Sequence, residues 1–140
     1  MSVKDMWDTI RVFAAVVGGF LSQFLGGFDG MVMALIWFAV IDYITGIIAA
    51  IIEKKLDSSI GWKGILKKAV MFMIVGICHI VDADVLGGGS ALRTMAIIFY
   101  ISNEGISVVE NVSRAGLPVP NKLKEVLAQL KEDSEKDSTL

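Results

Sequence analysis

The sequence predicts an all-α, small multi-span membrane protein, with three to four transmembrane helices followed by a cytoplasmic amphipathic C-terminal helix. Two observations carry this prediction. The first is the partition of charge. Between Val12 and Glu53 only Asp29, Asp42 and Glu53 are charged, whereas residues 121–140 hold four lysines and five acids. The second is the length of the uncharged runs. Residues 31–52 are interrupted by Asp42 alone, and at about 1.5 Å per residue they reach about 33 Å, enough to cross a hydrocarbon core of about 30 Å. The chain as a whole is 54% hydrophobic and 20% charged, against about 45–50% and about 25% in a soluble domain. Such a body argues against a soluble enzyme and against a disordered chain. A formal net charge of −2 leaves no basic footprint for nucleic acid.

Three regions follow in chain order: an N-terminal hydrophobic helix (1–30), a transmembrane core (31–115) and a polar tail (116–140). In the first, the apolar run 12–28 contains Gly18-Gly19, Ser22-Gln23 and Gly26-Gly27 and sits at the lower length limit for a span. It either crosses, pairing with the second run through a tight turn at Asp29-Gly30, or lies in the interface with Trp7, Asp8 and Arg11 among the headgroups. The second run ends sharply at Glu53-Lys54-Lys55. The third, 69–81, is short, with Lys67 and Lys68 able to snorkel at one end and Asp82 and Asp84 marking a surface at the other. The fourth, 91–112, mixes apolar residues with Ser102, Asn103, Glu104, Ser107, Glu110 and Asn111. Only neighbouring helices or water make such a segment stable in a bilayer.

Lysine placement sets the orientation. The connection 53–68 carries Lys54, Lys55, Lys63, Lys67 and Lys68, while 82–90 carries none. The first is therefore read as a positive cytoplasmic loop, with the C-terminus on the same side. Both placements of the first helix satisfy this rule. Gly116-Leu117-Pro118-Val119-Pro120 stops the fourth helix. Asn121 caps another, whose Leu123, Val126, Leu127 and Leu130 recur at helical spacing. The closing stretch 132–140 reads as disordered.

Other chemistry is absent. Cys78 and His79 are the only cysteine and histidine, so no disulfide framework, thiolate metal cluster or Ser-His-Asp triad is expected. No phosphate-binding glycine motif is present, and no cofactor, metal or catalytic residue is assigned. Asp5 and Asp8 spoil the basic segment of a secretory signal. Met1 and Met6 bracket Lys4, so a second start at Met6 would remove one lysine and one aspartate.

Polar groups at bilayer depth are functional candidates by default. On the second helix Ala39, Asp42, Gly46, Ala49, Ala50 and Glu53 share a small-and-polar stripe. Gly46 and Ala50 would let another helix approach closely. This stripe forms an oligomer or pore face, or Asp42 is bonded within one folded bundle. On the fourth helix Arg93, Tyr100, Glu104, Ser107, Asn111 and Arg114 follow steps of three, four or seven. They would line water or pair with Asp42 and His79. A proton relay from His79 to Glu104 is a further candidate.

The order of these features resembles one family. Asp42-Tyr-Ile-Thr-Gly46 is followed by a lysine turn, then Leu56-Asp-Ser-Ser-Ile-Gly61-Trp-Lys-Gly64 and Lys67-Lys68. After a short apolar helix come Glu104-Gly-Ile-Ser107, Glu110-Asn111 and Gly116-Leu-Pro-Val-Pro120. Over residues 36–129 the chain resembles the toxin-secretion and phage-lysis holins of Gram-positive phages. By that resemblance Asp42, Thr45, Gly46, Ser58, Ser59, Gly61, Gly64, Glu104, Ser107, Asn111, Gly116, Pro118 and Pro120 occupy motif positions. The resemblance implies a protein that oligomerises in the host cytoplasmic membrane and opens lesions. Its partners would be the bilayer, further copies of itself and an antiholin. Endolysin, or a toxin, would be released as cargo without direct binding. Asp42, Thr45, Gly46, Ala50, Tyr100, Glu104, Ser107 and Asn111 are then the candidate pore or oligomer face. Two alternatives stand beside it: an antiholin that regulates lysis timing, and a small proton-coupled multidrug or ion transporter using Asp42 or Glu104.

Overall fold

The computed structural model describes residues 1–137. Five α-helices follow one another: α1 (Val3–Leu25), α2 (Gly30–Ile52), α3 (Ser58–Ile80), α4 (Ala91–Arg114) and α5 (Asn121–Asp137), with a π-helical turn, Val81–Val85, continuing α3. Three segments are long and apolar enough to cross a membrane: Val3–Leu25, Gly30–Ile52 and Ser58–Val85.

The starts of α1, α2 and α3 are capped by the residue type that supplies an acceptor to the free amides of a first turn. Ser2 and Asp5 form a reciprocal capping box on α1. The Asp29 carboxylate accepts from the Val32 amide at 3.0 Å, and that of Asp57 from the Ser59 amide at 2.9 Å. Helix α1 stops where Gly26 turns left-handed at φ 81°.

Helices α2 and α4 lie side by side in the same direction. Arg93 of α4 bonds Asp29 at the start of α2, and Arg114 bonds Glu53 at its end. Helix α3 runs the opposite way against both. Their interior divides along its length. At the Asp29 end Val32, Leu35, Met71, Val75 and Ile97 make an apolar core with Leu25. At the Glu53 end the interior is polar, with Asp42, Lys68, Glu104 and Asn111 meeting one another. Outward, Trp37, Ile41, Ile44 and Ile48 are exposed as a lipid-facing surface requires.

Four expectations are corrected. Helix α1 does not pair along α2. Residues 1–17 are exposed throughout, and only the Phe24–Leu25 end packs, against α3. The linker is held instead by Arg93, which donates to the Leu25 carbonyl at 2.5 Å and the Gly27 carbonyl at 3.0 Å. Second, Lys63, Lys67 and Lys68 are not in a loop, because α3 begins at Ser58, leaving only 53–57 as the connection. Third, Asp82 is not at a surface but 1% exposed. Its carboxylate accepts from the Leu92 and Arg93 amides at 3.1 and 2.9 Å, satisfying the free donors at the start of α4. Finally, helix α5 continues to Asp137 through much of the stretch read as disordered, supported by Gln129–Asp133 and Glu132–Lys136 pairs one turn apart. Residues 138–140 lie outside the described residues.

Helix α5 doubles back along α4. Leu127 is buried over Gly105, where an added Cβ would stand 2.6 Å from its Cδ2. Of the apolar stripe of the tail only Leu127 is buried in this contact, while Leu123, Val126 and Leu130 stay exposed. At the other end Gly76 admits the Phe24 ring, which would lie 2.1 Å from a Cβ placed there. Gly76→Ala should therefore expel Phe24 and loosen α1. Overpacking of this kind costs about 1–3 kcal/mol, to be seen as a lowered unfolding temperature in detergent and faster proteolysis at Gly26-Gly27.

The Arg93 guanidinium bonded to Asp29, with help from the Val32 amide, holds the Asp29 carboxyl below its usual range. A depressed folded value stabilises the protein above the unfolded value and is lost as pH falls through the folded one. Acid titration should therefore leave this contribution intact down to about pH 4 and remove it below. In Asp29→Asn that part of the acid dependence should disappear from the unfolding curve.

Candidate functional site: an ion triad in a polar cleft

The site is assembled by three helices that each contribute one charge. Lys68 of α3 donates to Asp42 Oδ2 of α2 at 2.7 Å and also to Glu104 Oε2 of α4. The three side chains are only 15–17% exposed. Two carboxylates and one ammonium leave a net negative charge in a setting where an uncompensated charge is costly. Asn111 supplies the remaining donors. Its Nδ2 lies 2.9 Å from Asp42 Oδ1, 3.1 Å from the Asp42 carbonyl and 3.1 Å from Thr45 Oγ1. Thr45 in turn donates back to the Ile41 carbonyl at 2.8 Å. Among the described residues no buried side-chain nitrogen or oxygen lacks a partner.

Small residues make this meeting possible. A Cβ on Gly46 would stand 3.4 Å from Asn111 Nδ2, so the glycine lets the amide reach the α2 backbone. Gly61 and Gly64 of α3 play the same part for Tyr43, whose ring would meet a Gly64 Cβ at 3.3 Å. Around the triad a cleft of about 690 Å³ opens between α2, α3 and α4. Tyr100, Ser107 and Ala50 line it with the triad, and Lys55, Lys63, Lys67 and Arg114 stand along its walls.

Of the sequence candidates, Asp42, Thr45, Gly46, Glu104 and Asn111 are thus in mutual contact, and Ala50, Tyr100 and Ser107 border the same cleft. They meet inside one chain, so the stripes on α2 and α4 face each other. Lys68 belongs to this constellation rather than to the cytoplasmic lysine group. The relay from His79 to Glu104 does not form. His79 lies eleven residues beyond Lys68, about 16 Å along the helix, and its ring sits over Gly26 beside Arg93. Arg93 likewise leaves the polar stripe for the Asp29 and Leu25 end.

Residues 19–132 match the family described as bacteriophage holins. The chain belongs to the bacteriophage holin family. A protein of Bacillus phage phi105 named "probable holin" is 31% identical over 96 residues, 69% of this chain and 70% of its own. An uncharacterized protein of Halalkalibacterium halodurans is 38% identical over 127 residues, covering 88% of this chain and 94% of its own. An uncharacterized 14.9 kDa protein of Clostridium perfringens is 37% identical over 128 residues, covering 91% and 97%. No solved structure matches the chain.

For this holin-family chain, two groups escaped the sequence reading. The Arg93–Asp29–Asp82 cluster joins residues up to 64 positions apart and left no local signal. Lys68 did leave one, because Gly61, Gly64, Lys68, Met71 and Val75 recur in steps of three and four. That periodicity puts Lys68 on the inward face and starts α3 well before it.

Lys68→Met should strand the Asp42 and Glu104 carboxylates together. Removing one partner of a buried pair costs about 3–5 kcal/mol, measurable by thermal or denaturant unfolding in detergent. The triple variant Lys68→Met, Asp42→Asn, Glu104→Gln should recover most of the loss, since it carries no uncompensated charge.

Proposed function

We propose that this chain acts as a holin, accumulating in the host cytoplasmic membrane, self-associating and opening lesions through which a cell-wall lytic enzyme, or a toxin, leaves the cell. The reading rests on the uneven surface of the fold. Helices α1 to α3 present apolar side chains outward, whereas α4 carries the polar interior and is backed by the charged α5. Because α4 lies along α2 from end to end, this polar side stands at the depth of a membrane-spanning helix. Lipid is a poor neighbour for it. A second chain or water is a better one, which makes association increase with concentration. On assembly the polar sides would face a water-filled opening, with the triad cleft beside it.

The lysine-rich end, where α2 and α4 finish and α3 begins, is assigned to the cytoplasm together with the turn that leads into α5. Antiholin and endolysin enter as regulator and cargo. Neither needs a binding site on the chain.

Induction in a host with a co-expressed cytoplasmic endolysin should stop growth abruptly and lyse the culture, and without endolysin should collapse respiration without lysis. Intact respiration with endolysin retained would refute the reading. Resistance to toxic cations without killing would replace it with a transporter. Asp42→Asn and Glu104→Gln should shift the onset of lysis more than the amount of inserted protein, as scored by optical density and membrane immunoblots. Unchanged onset in both variants would remove the triad from the mechanism.

A further inference from the structure

The triad accounts for Lys68 but not for the other cations of the cleft. Five cationic side chains, Lys55, Lys63, Lys67, Lys68 and Arg114, line it against the two carboxylates of Asp42 and Glu104. Lys68 is committed to both carboxylates and Arg114 to Glu53. Lys55, Lys63 and Lys67 form no ion pair among the described residues. A cavity of about 690 Å³ is thus bordered by three ammonium groups that make no direct ion pair, Glu53 and Asp57 acting on Lys55 and Lys63 only at longer range.

Its depth narrows the choice of anion. The α3 segment with its π-helical turn has 28 residues, about 42 Å at helical rise, against a hydrocarbon core of about 30 Å. Its first turns therefore stand in the headgroup layer. Trp62, 66% exposed one position before Lys63, marks that level as interfacial tryptophans do. Below the lysines the cleft is lined by Met71 and the Tyr100 ring. A negatively charged group attached to an apolar tail fits both zones. Zwitterionic headgroups lack a partner for their cation, because both cleft carboxylates already hold Lys68.

We propose that the cleft between α2, α3 and α4 binds the phosphate of an anionic glycerophospholipid, with Lys63 and Lys67 as its principal contacts and the acyl chains descending past Met71 and Tyr100. Basic pockets between membrane helices recognise lipid phosphates in this way. The site requires only that α3 spans the membrane and is independent of lesion formation.

The test uses the full chain in a non-ionic detergent with equimolar phosphatidylglycerol and phosphatidylcholine, read by native mass spectrometry. Phosphatidylglycerol should be retained in preference. Lys63→Gln with Lys67→Gln should weaken retention about 25-fold, at about fivefold for each lysine near a lipid surface. Lys63→Arg with Lys67→Arg should keep it, which separates loss of charge from loss of fold. Lys124→Gln with Lys131→Gln, removing equal charge from α5, should leave it unchanged. Equal retention of phosphatidylcholine, or equal loss in the α5 control, would overturn the site. Displacement by excess glycerol phosphate would overturn the lipid as its source. Lipid-free dimers that vanish in the Lys63 and Lys67 variants would show that a second chain fills the cleft instead. Lysis assays on the same variants read the holin activity separately, so failure of one does not count against the other.

Discussion

Lys68 stands between Asp42 and Glu104, and the arrangement of three helices depends on that placement. Each helix brings one member, so none of the three charges is balanced unless α2, α3 and α4 are all in position. An ion pair at this depth is weak evidence for net stability, since desolvation opposes the Coulombic gain. Its value is positional. A one-residue rotation of α3 would turn Lys68 toward lipid and leave two carboxylates facing each other, so the triad selects one azimuth for each helix. Asn111 then locks the α2–α4 contact by donating to Asp42 Oδ1 and to Thr45 Oγ1, while Thr45 donates to the Asp42 carbonyl.

The rest of the bundle is built around keeping this group in register. At the far end Arg93 ties α4 to the α1–α2 linker, and Asp82 closes the first turn of α4. Leu35, Val75 and Ile97 fill the space between with apolar contact. The two ends use different physics. Apolar packing joined to the Arg93 and Asp82 bonds holds the Asp29 end, whereas hydrogen bonds and ion pairs alone hold the Glu53 end, around a cleft that apolar side chains do not fill.

The surface is divided as well. Helix α1 joins the bundle only through its last turns and exposes Phe13, Val16 and Phe20, while α5 lays its charges along α4. One face of the chain is therefore suited to lipid and another to water, at similar depth. On the proposed function, this mismatch is what would drive self-association.

The charge partition and the apolar run lengths sufficed to determine the class of protein and its helical character, and the order of short motifs pointed to the family. These are local properties. Helix length against bilayer thickness depends only on residue count. The stripe containing Asp42 and Gly46 was legible for the same reason, since helical periodicity places side chains on a common face. Tertiary structure alone decided what that face meets. It turned the stripe inward onto Asn111, drew Lys68 from an apparent loop into the interior, buried Asp82, sent α1 away from α2 and folded α5 back on α4. Those outcomes depend on which helix lies opposite and at what height, and that is fixed by contacts between residues tens of positions apart.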